Sequence, residues 1–180
     1  MPCAGAEAFL VMSVERAQAL SLPYAVIKGA VERHNAYPAD PMPLRGGWAM
    51  ERDRLYTQAG LAPKDMDFLE TYDDYPVIAL MQMEDLGFCG KGEGPEFIRK
   101  TPLTVSGGGL PHNTSGGQLS SGQAGAAGGF LGLTEALRQL TGQAYTQIAG
   151  AKFGLVSGYG MVIYDRCLCT AAAILARGDA

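Results

Sequence analysis

Apolar residues along this chain fall into short runs separated by glycine and proline, and the period of the runs changes along the sequence. "AEAFLVMS", Ala6 to Ser13, is almost continuously apolar and reads as a buried strand, after which Ser13 caps a short helix, "VERAQALS". "YAVIKGAVE", Tyr24 to Glu32, is rich in β-branched residues and reads as a second strand. The prolines and glycines of "NAYPADPMPLRGG" mark a loop and a structural boundary. Trp48, Leu55 and Ala59 have helical spacing, and Gly60 supplies the stop. Met66 to Glu70 reads as a strand and Tyr72 to Tyr75 as a turn. Pro76 then opens a helix carried by Val77, Leu80, Met81 and Glu84 as far as Gly87. "GKGEGPEF" is a flexible loop. A glycine-rich loop around Asn113 leads into a helix from about Gly122 to Leu140. The chain closes as two strands around a turn at Ser157-Gly158-Tyr159-Gly160. This succession predicts an α/β layered domain.

Composition narrows the function classes. With 180 residues, 47% hydrophobic and 18% charged, the chain can bury a core and is not of disordered type. A net charge of −4 offers no field for nucleic acid or an anionic membrane. Its apolar runs, Pro76 to Met83 among them, stop short of the ~20 residues of a spanning helix, and no signal-peptide pattern opens the sequence. A soluble cytoplasmic protein is expected. Cys3, Cys89, Cys167 and Cys169 lack CxxC spacing, and His34 and His112 are far apart, so no metal site is expected. The thiols read as reduced, packed side chains, with Cys167 and Cys169 on one strand face.

The loops carry the candidate chemistry. Asn113-Thr114-Ser115-Gly116-Gly117 lets backbone N–H groups approach a ligand at a helix start, but it has no lysine and matches neither phosphate-loop pattern. Gly128, Gly129 and Gly132 read instead as close packing of a helix under a sheet. Among Tyr72-Asp73-Asp74-Tyr75, one aspartate is expected to cap the helix after Pro76, and Tyr72 at a strand end is a candidate proton donor. His112 titrates near neutrality, although a lone histidine is more often structural.

Four blocks in order resemble the C-terminal half of the thiolase superfamily, in the sterol-carrier-protein-type and lipid-transfer-type branch. "CAGAEAFLVMSVERA" resembles the last strand of the family's N-terminal domain, and "ETYDDYPVIALMQMEDLGFCGKGEGPEFI" the block around its NEAF motif. "LPHNTSGGQLSSGQAGAAGG" resembles the loop that ends in GHP, and "LVSGYGMVIYDR" the final glycine turn. The resemblance implies a thiolase-like layered α-β-α half, with residues 1–35 a remnant of the N-terminal domain and 36–180 the C-terminal domain.

Thiolases of this type are implied to use two cysteines, with Asn and His holding the thioester oxygen. Here Tyr72 stands at the Asn position, Gln123 at the His position, and Val156 or Ser157 where the base cysteine would be. Cys89 and Cys167 match none of these positions, and the segment expected to hold the nucleophile is absent from this sequence. The residues and the resemblance together nominate Tyr72, Gln123 and His112 as catalytic, with Asn113, Ser115, Gly116, Gly117, Gly158 and Tyr159 as substrate-binding. An acyl-CoA thioester is the implied substrate rather than a cofactor. Two readings follow. The chain is a subunit of a thiolase-like acyltransferase or acyl-CoA carbon–carbon lyase, as a homo- or hetero-oligomer with a chain of N-terminal-half character, and with a zinc-ribbon/OB-fold protein as a further candidate partner. Alternatively it is a non-catalytic, truncated thiolase-fold binding module.

Overall fold

The computed structural model describes residues 3–40, 42, 44–163 and 166–180, with the side chains at 126, 161–163, 166 and 167 outside the description. Strands β1 (Ala25–His34), β2 (Phe68–Thr71), β3 (Phe153–Ile163) and β4 (Arg166–Arg177) form one sheet in the order β1-β4-β3-β2. β4 is antiparallel to both β1 and β3, whereas β2 lies parallel to β3, from Phe68 beside Gly154 to Thr71 beside Ser157. The β3–β4 ribbon outruns both neighbours, since β2 stops beside Ser157 and β1 stops with His34 beside Cys169.

Strand alternation sends successive side chains to opposite faces, and both faces are covered. Val31, Leu69, Leu155 and Ile174 join Trp48, Leu55 and Tyr56 of α2 (Trp48–Ala59) and Met81 and Met83 of α3 (Pro76–Asp85) in one core. Their neighbours Phe68 and Leu175 join Ala136 and Leu140 of α6 (Leu131–Thr141) in the other. The α-β-α layering expected from the sequence is therefore present. Gly154 is required where it stands, because a Cβ there would lie 2.1 Å from the Phe68 ring.

The helix at Trp48, its Gly60 stop and the helix opened by Pro76 match expectation. So does α1 (Val14–Ala19), where Ser13 Oγ accepts from Arg16 N at 3.3 Å. Four expectations are corrected. Ala6 to Ser13 is not a strand: among the described residues no strand pairs with it, and Leu10 and Val11 are 82% and 86% exposed. "GKGEGPEF" is not all loop, because Pro95 falls in the first turn of α4 (Gly94–Lys100). The single helix expected from Gly122 to Leu140 is instead α5 (Gly117–Ser121), a 3₁₀ segment (Gly125–Phe130) and α6, interrupted by positive φ at Gly122 and Gly125. Ser157 to Gly160 are not a turn but lie inside β3, paired with Ala172 to Cys169. The boundary expected at residue 35 falls after β1, which lies in the same sheet as the other strands. Cys3 is an exposed thiol and Cys89 a half-buried one; the Cys167 side chain lies outside the described residues.

Candidate functional site

Tyr72 follows the last residue of β2 and is fixed through its backbone before its ring is considered. Its N–H donates to Ser157 O at 3.1 Å, and its carbonyl accepts from Gln82 Nε2 at 2.6 Å. Gln82 of α3 is wholly buried; Ser157 Oγ donates to its Oε1 at 2.6 Å, and its Nε2 also reaches Ile78 O at 3.1 Å. One neutral amide thus ties α3, β3 and the exit of β2 together. The Tyr72 ring stacks on Tyr159 at 6.4 Å between centroids, and Tyr159 stacks on Trp48 at 6.0 Å. Gln123 Nε2 donates to the Tyr72 hydroxyl at 2.5 Å. Burial and then the Asp74 charge push the Tyr72 pKa up, against the opposing Gln123 bond. The phenol therefore keeps its proton at neutral pH and has one lone pair engaged, with no acceptor for its O–H among the described residues.

The glycine loop is organised around Thr71 and Asp73. Asn113, at φ 47°, accepts from Thr71 N through Oδ1 at 2.8 Å and donates from Nδ2 to Thr71 O at 3.0 Å. Its side chain continues the edge of β2 in place of a strand. His112 Nε2 lies 2.6 Å from Thr71 Oγ1, and burial drives its pKa down to about 4, so this imidazole is neutral at pH 7. Asp73 Oδ1 accepts from Gln118 N at 2.7 Å, in the first turn of α5. The aspartate expected to cap the helix after Pro76 caps α5 instead; α3 has no side-chain cap. A Cβ at Gly117, whose φ is 61°, would lie 2.2 Å from Asp73 Oδ2, so only glycine lets the carboxylate this close.

Ser115 Oγ is buried and, among the described residues, has no hydrogen-bond partner. It lines a small, partly enclosed cavity of about 10 Å³ together with Glu70, Tyr72 and Ser157. That is room for roughly one water. Glu70 is buried behind the loop, and its Oε1 accepts from Thr114 N at 3.2 Å and contacts Thr114 Oγ1 at 2.9 Å. Thr114 Oγ1 also lies 2.6 Å from Glu135 Oε1 and 3.0 Å from Gln139 Nε2. A hydroxyl has one proton and cannot donate to two carboxylates. Burial pushes the Glu70 pKa up to about 8, so Glu70 carries the extra proton and Thr114 donates to Glu135.

Gly116, at φ 103°, is the N-cap of α5, and Gly158 lies in β3 opposite Ala171. The expected packing role holds for Gly132, where a Cβ would meet Glu70 Cβ at 3.1 Å. Gly128 instead leaves room for Gln123, and Gly129 faces no close neighbour. An open cleft of about 630 Å³ at the far end of the sheet, between Tyr24, Gln139 and Arg177, contains none of the nominated residues. Sequence reasoning missed Gln82, Gln118, Glu70 and Glu135, and took Thr114 only as part of the glycine loop. A glutamine inside the apolar run "IALMQMEDLGF" was a usable signal; the others are joined only by folding.

The family model described as thiolase C-terminal domain-like matches residues 29–176. The chain is 35% identical over 163 residues to the 17-hydroxy-3-oxo-4-pregnene-20-carboxyl-CoA lyase of Mycobacterium tuberculosis, covering 85% of this chain and 40% of that protein. It is 35% identical over 150 residues to the steroid side-chain-cleaving aldolase of Thermomonospora curvata, covering 79% and 37%. A solved "Ltp2-ChsH2(DUF35) aldolase" superposes with a TM-score of 0.71 at 30% identity, covering 89% of this chain and 42% of that one. The chain thus spans about 40% of the length of these three proteins.

Proposed function

The chain belongs to the thiolase C-terminal domain-like family, and from that premise we propose that it forms the C-terminal half of an acyl-CoA carbon–carbon lyase in which Tyr72 transfers the proton. The observation that carries this reading is the Tyr72–Gln123 bond of 2.5 Å, which joins the two positions where the family resemblance places Asn and His. In a retro-aldol cleavage of a β-hydroxyacyl thioester, the bond between the α and β carbons breaks and its electrons form an enolate. The β-hydroxyl gives its proton to solvent water as it becomes a carbonyl, the α carbon takes one from the Tyr72 phenol, and the phenolate regains a proton from solvent, so protons balance with no net oxidation. A phenol held protonated beside a neutral amide donor suits delivery of the proton to the α carbon, with Gln123 stabilising the phenolate left behind. Names of a lyase and an aldolase among the relatives support the same chemistry.

Acyl transfer is the weaker reading because the position of the base cysteine holds Val156 or Ser157, and the Ser157 hydroxyl is bonded to buried Gln82. The rest of the site is proposed to come from a segment of N-terminal-half character. The exposed apolar side chains of Phe9, Leu10 and Val11 support such a contact. The test is native mass spectrometry of the protein from its source, followed by turnover of β-hydroxyacyl-CoA thioesters by the recovered assembly. Tyr72→Phe should lower kcat by about 10²- to 10⁴-fold. Turnover unchanged in that variant overturns the role of Tyr72. An assembly that turns over no thioester supports a binding module instead.

A further inference from the structure

Away from Tyr72, three side chains distant in sequence converge on the sheet face opposite α2. Val31 and Arg33 of β1 face α2, Val31 in its core and Arg33 paired with Glu51 at 3.3 Å. Alternation therefore turns Glu32 and His34 to the other side. There His34 is the register partner of Cys169 on β4. His34 Nε2 contacts Glu32 Oε1, while Cys169 Sγ lies 3.8 Å from Glu32 Oε1 and 3.9 Å from His34 Nε2. The three donor atoms all lie within 4.8 Å of one another.

We propose that Glu32, His34 and Cys169 form a binding site for a divalent transition-metal cation of the zinc class. Around a tetrahedral zinc, bonds of 2.0–2.3 Å put a sulfur about 3.6 Å from a nitrogen or oxygen ligand, and N and O about 3.3 Å apart. The two sulfur separations are already within a few tenths of an ångström of that spacing. A cation entering between Glu32 and His34 has only to spread a pair of largely exposed side chains, whose backbone is held by the antiparallel ladder. One imidazole, one carboxylate and one thiol form a mixed N/O/S set that suits zinc better than the oxygen-preferring calcium or magnesium. Three protein ligands leave one tetrahedral position that the described residues do not fill. Burial and the Glu32 charge push the Cys169 thiol pKa up, and a bound cation reverses that effect by stabilising the thiolate. The site is independent of the Tyr72 reading.

The test is titration of the full chain, made without a histidine tag, with Co²⁺ followed by Zn²⁺ competition. The expected result is one equivalent bound, with a thiolate-to-cobalt charge-transfer band that Zn²⁺ abolishes. Cys169→Ser should eliminate the band. His34→Ala and Glu32→Ala should each weaken binding at least about tenfold, with circular dichroism unchanged at these surface positions. C3S and C89S should keep the band. Failure of the native chain to bind, or a band that survives Cys169→Ser, overturns the proposal.

Discussion

Asp73 and Gln118 exchange hydrogen bonds: Gln118 N–H donates to Asp73 Oδ1 at 2.7 Å, and Asp73 N–H donates to Gln118 Oε1 at 3.2 Å. Gln118 Nε2 then reaches Gly128 O at 2.8 Å, so the exit of β2, the start of α5 and the 3₁₀ segment are held by one pair.

Asp73→Ala should cost about 1–2 kcal/mol, the worth of a helix cap. Gly117→Ala should cost at least about 2 kcal/mol, since it combines a positive φ with a Cβ 2.2 Å from Asp73 Oδ2. Because the two residues touch, the double variant should cost less than the sum. Denaturant midpoints of the three proteins check this; simple additivity would contradict it.

Gln82→Leu should destabilise by about 1–3 kcal/mol, because it removes the partner of both the Tyr72 carbonyl and the Ser157 hydroxyl. In a reconstituted enzyme it should also lower kcat more than it raises KM, since Tyr72 loses its backbone anchor. Equilibrium unfolding and steady-state kinetics give the two readouts.

Two buried groups make stability depend on pH in opposite senses. The Glu70 pKa is raised from 4.5 to about 8, so its contribution is present below pH 4.5 and is lost as pH rises through 8. The His112 pKa is lowered from 6.5 to about 4, so its contribution is present above pH 6.5 and is lost as pH falls through 4. Between pH 4.5 and 6.5 the two slopes offset each other. From pH 6.5 to 8 only Glu70 acts, and stability should fall by roughly 2 kcal/mol. Urea midpoints at pH 6.5 and 8 should show that fall in the native chain, and Glu70→Gln should abolish it.

Leu10→Ser with Val11→Ser should change stability by no more than about 0.5 kcal/mol, as both side chains are exposed. The same pair should weaken assembly with the complementary segment. Sedimentation velocity separates the two effects: unchanged association would mean that this stretch contributes no contact surface.

What the sequence revealed, it revealed through local pattern. The helix from Trp48 shows itself by spacing and a glycine stop, and β1 by its β-branched residues, because both signals lie within one element. Ala6 to Ser13 has the composition of a strand but pairs with no strand among the described residues, and an unpaired segment does not hold strand geometry. Gly158 and Gly160 suggested a turn, yet β4 pairs with β3 straight through them. Tyr72 stands out by its place at a strand end and Gln123 through resemblance; their bond across 51 positions, and the Glu70–Thr114–Glu135 chain, appear only when loops from separate elements meet. His34 and Cys169 are 135 positions apart, too far for any spacing rule to join them.

The ribbon of β3 and β4 continues past Gly160 and Cys169 with neither β1 nor β2 alongside, for three residue pairs at most on the β3 side, or about 10 Å. Mechanically it is a cantilever clamped in the sheet. Its root holds Tyr159, stacked between Trp48 and Tyr72, and on the other face the Glu32–His34–Cys169 cluster. A change in the β3–β4 pairing at Tyr159 would therefore reach Tyr72 through the ring stacked against it.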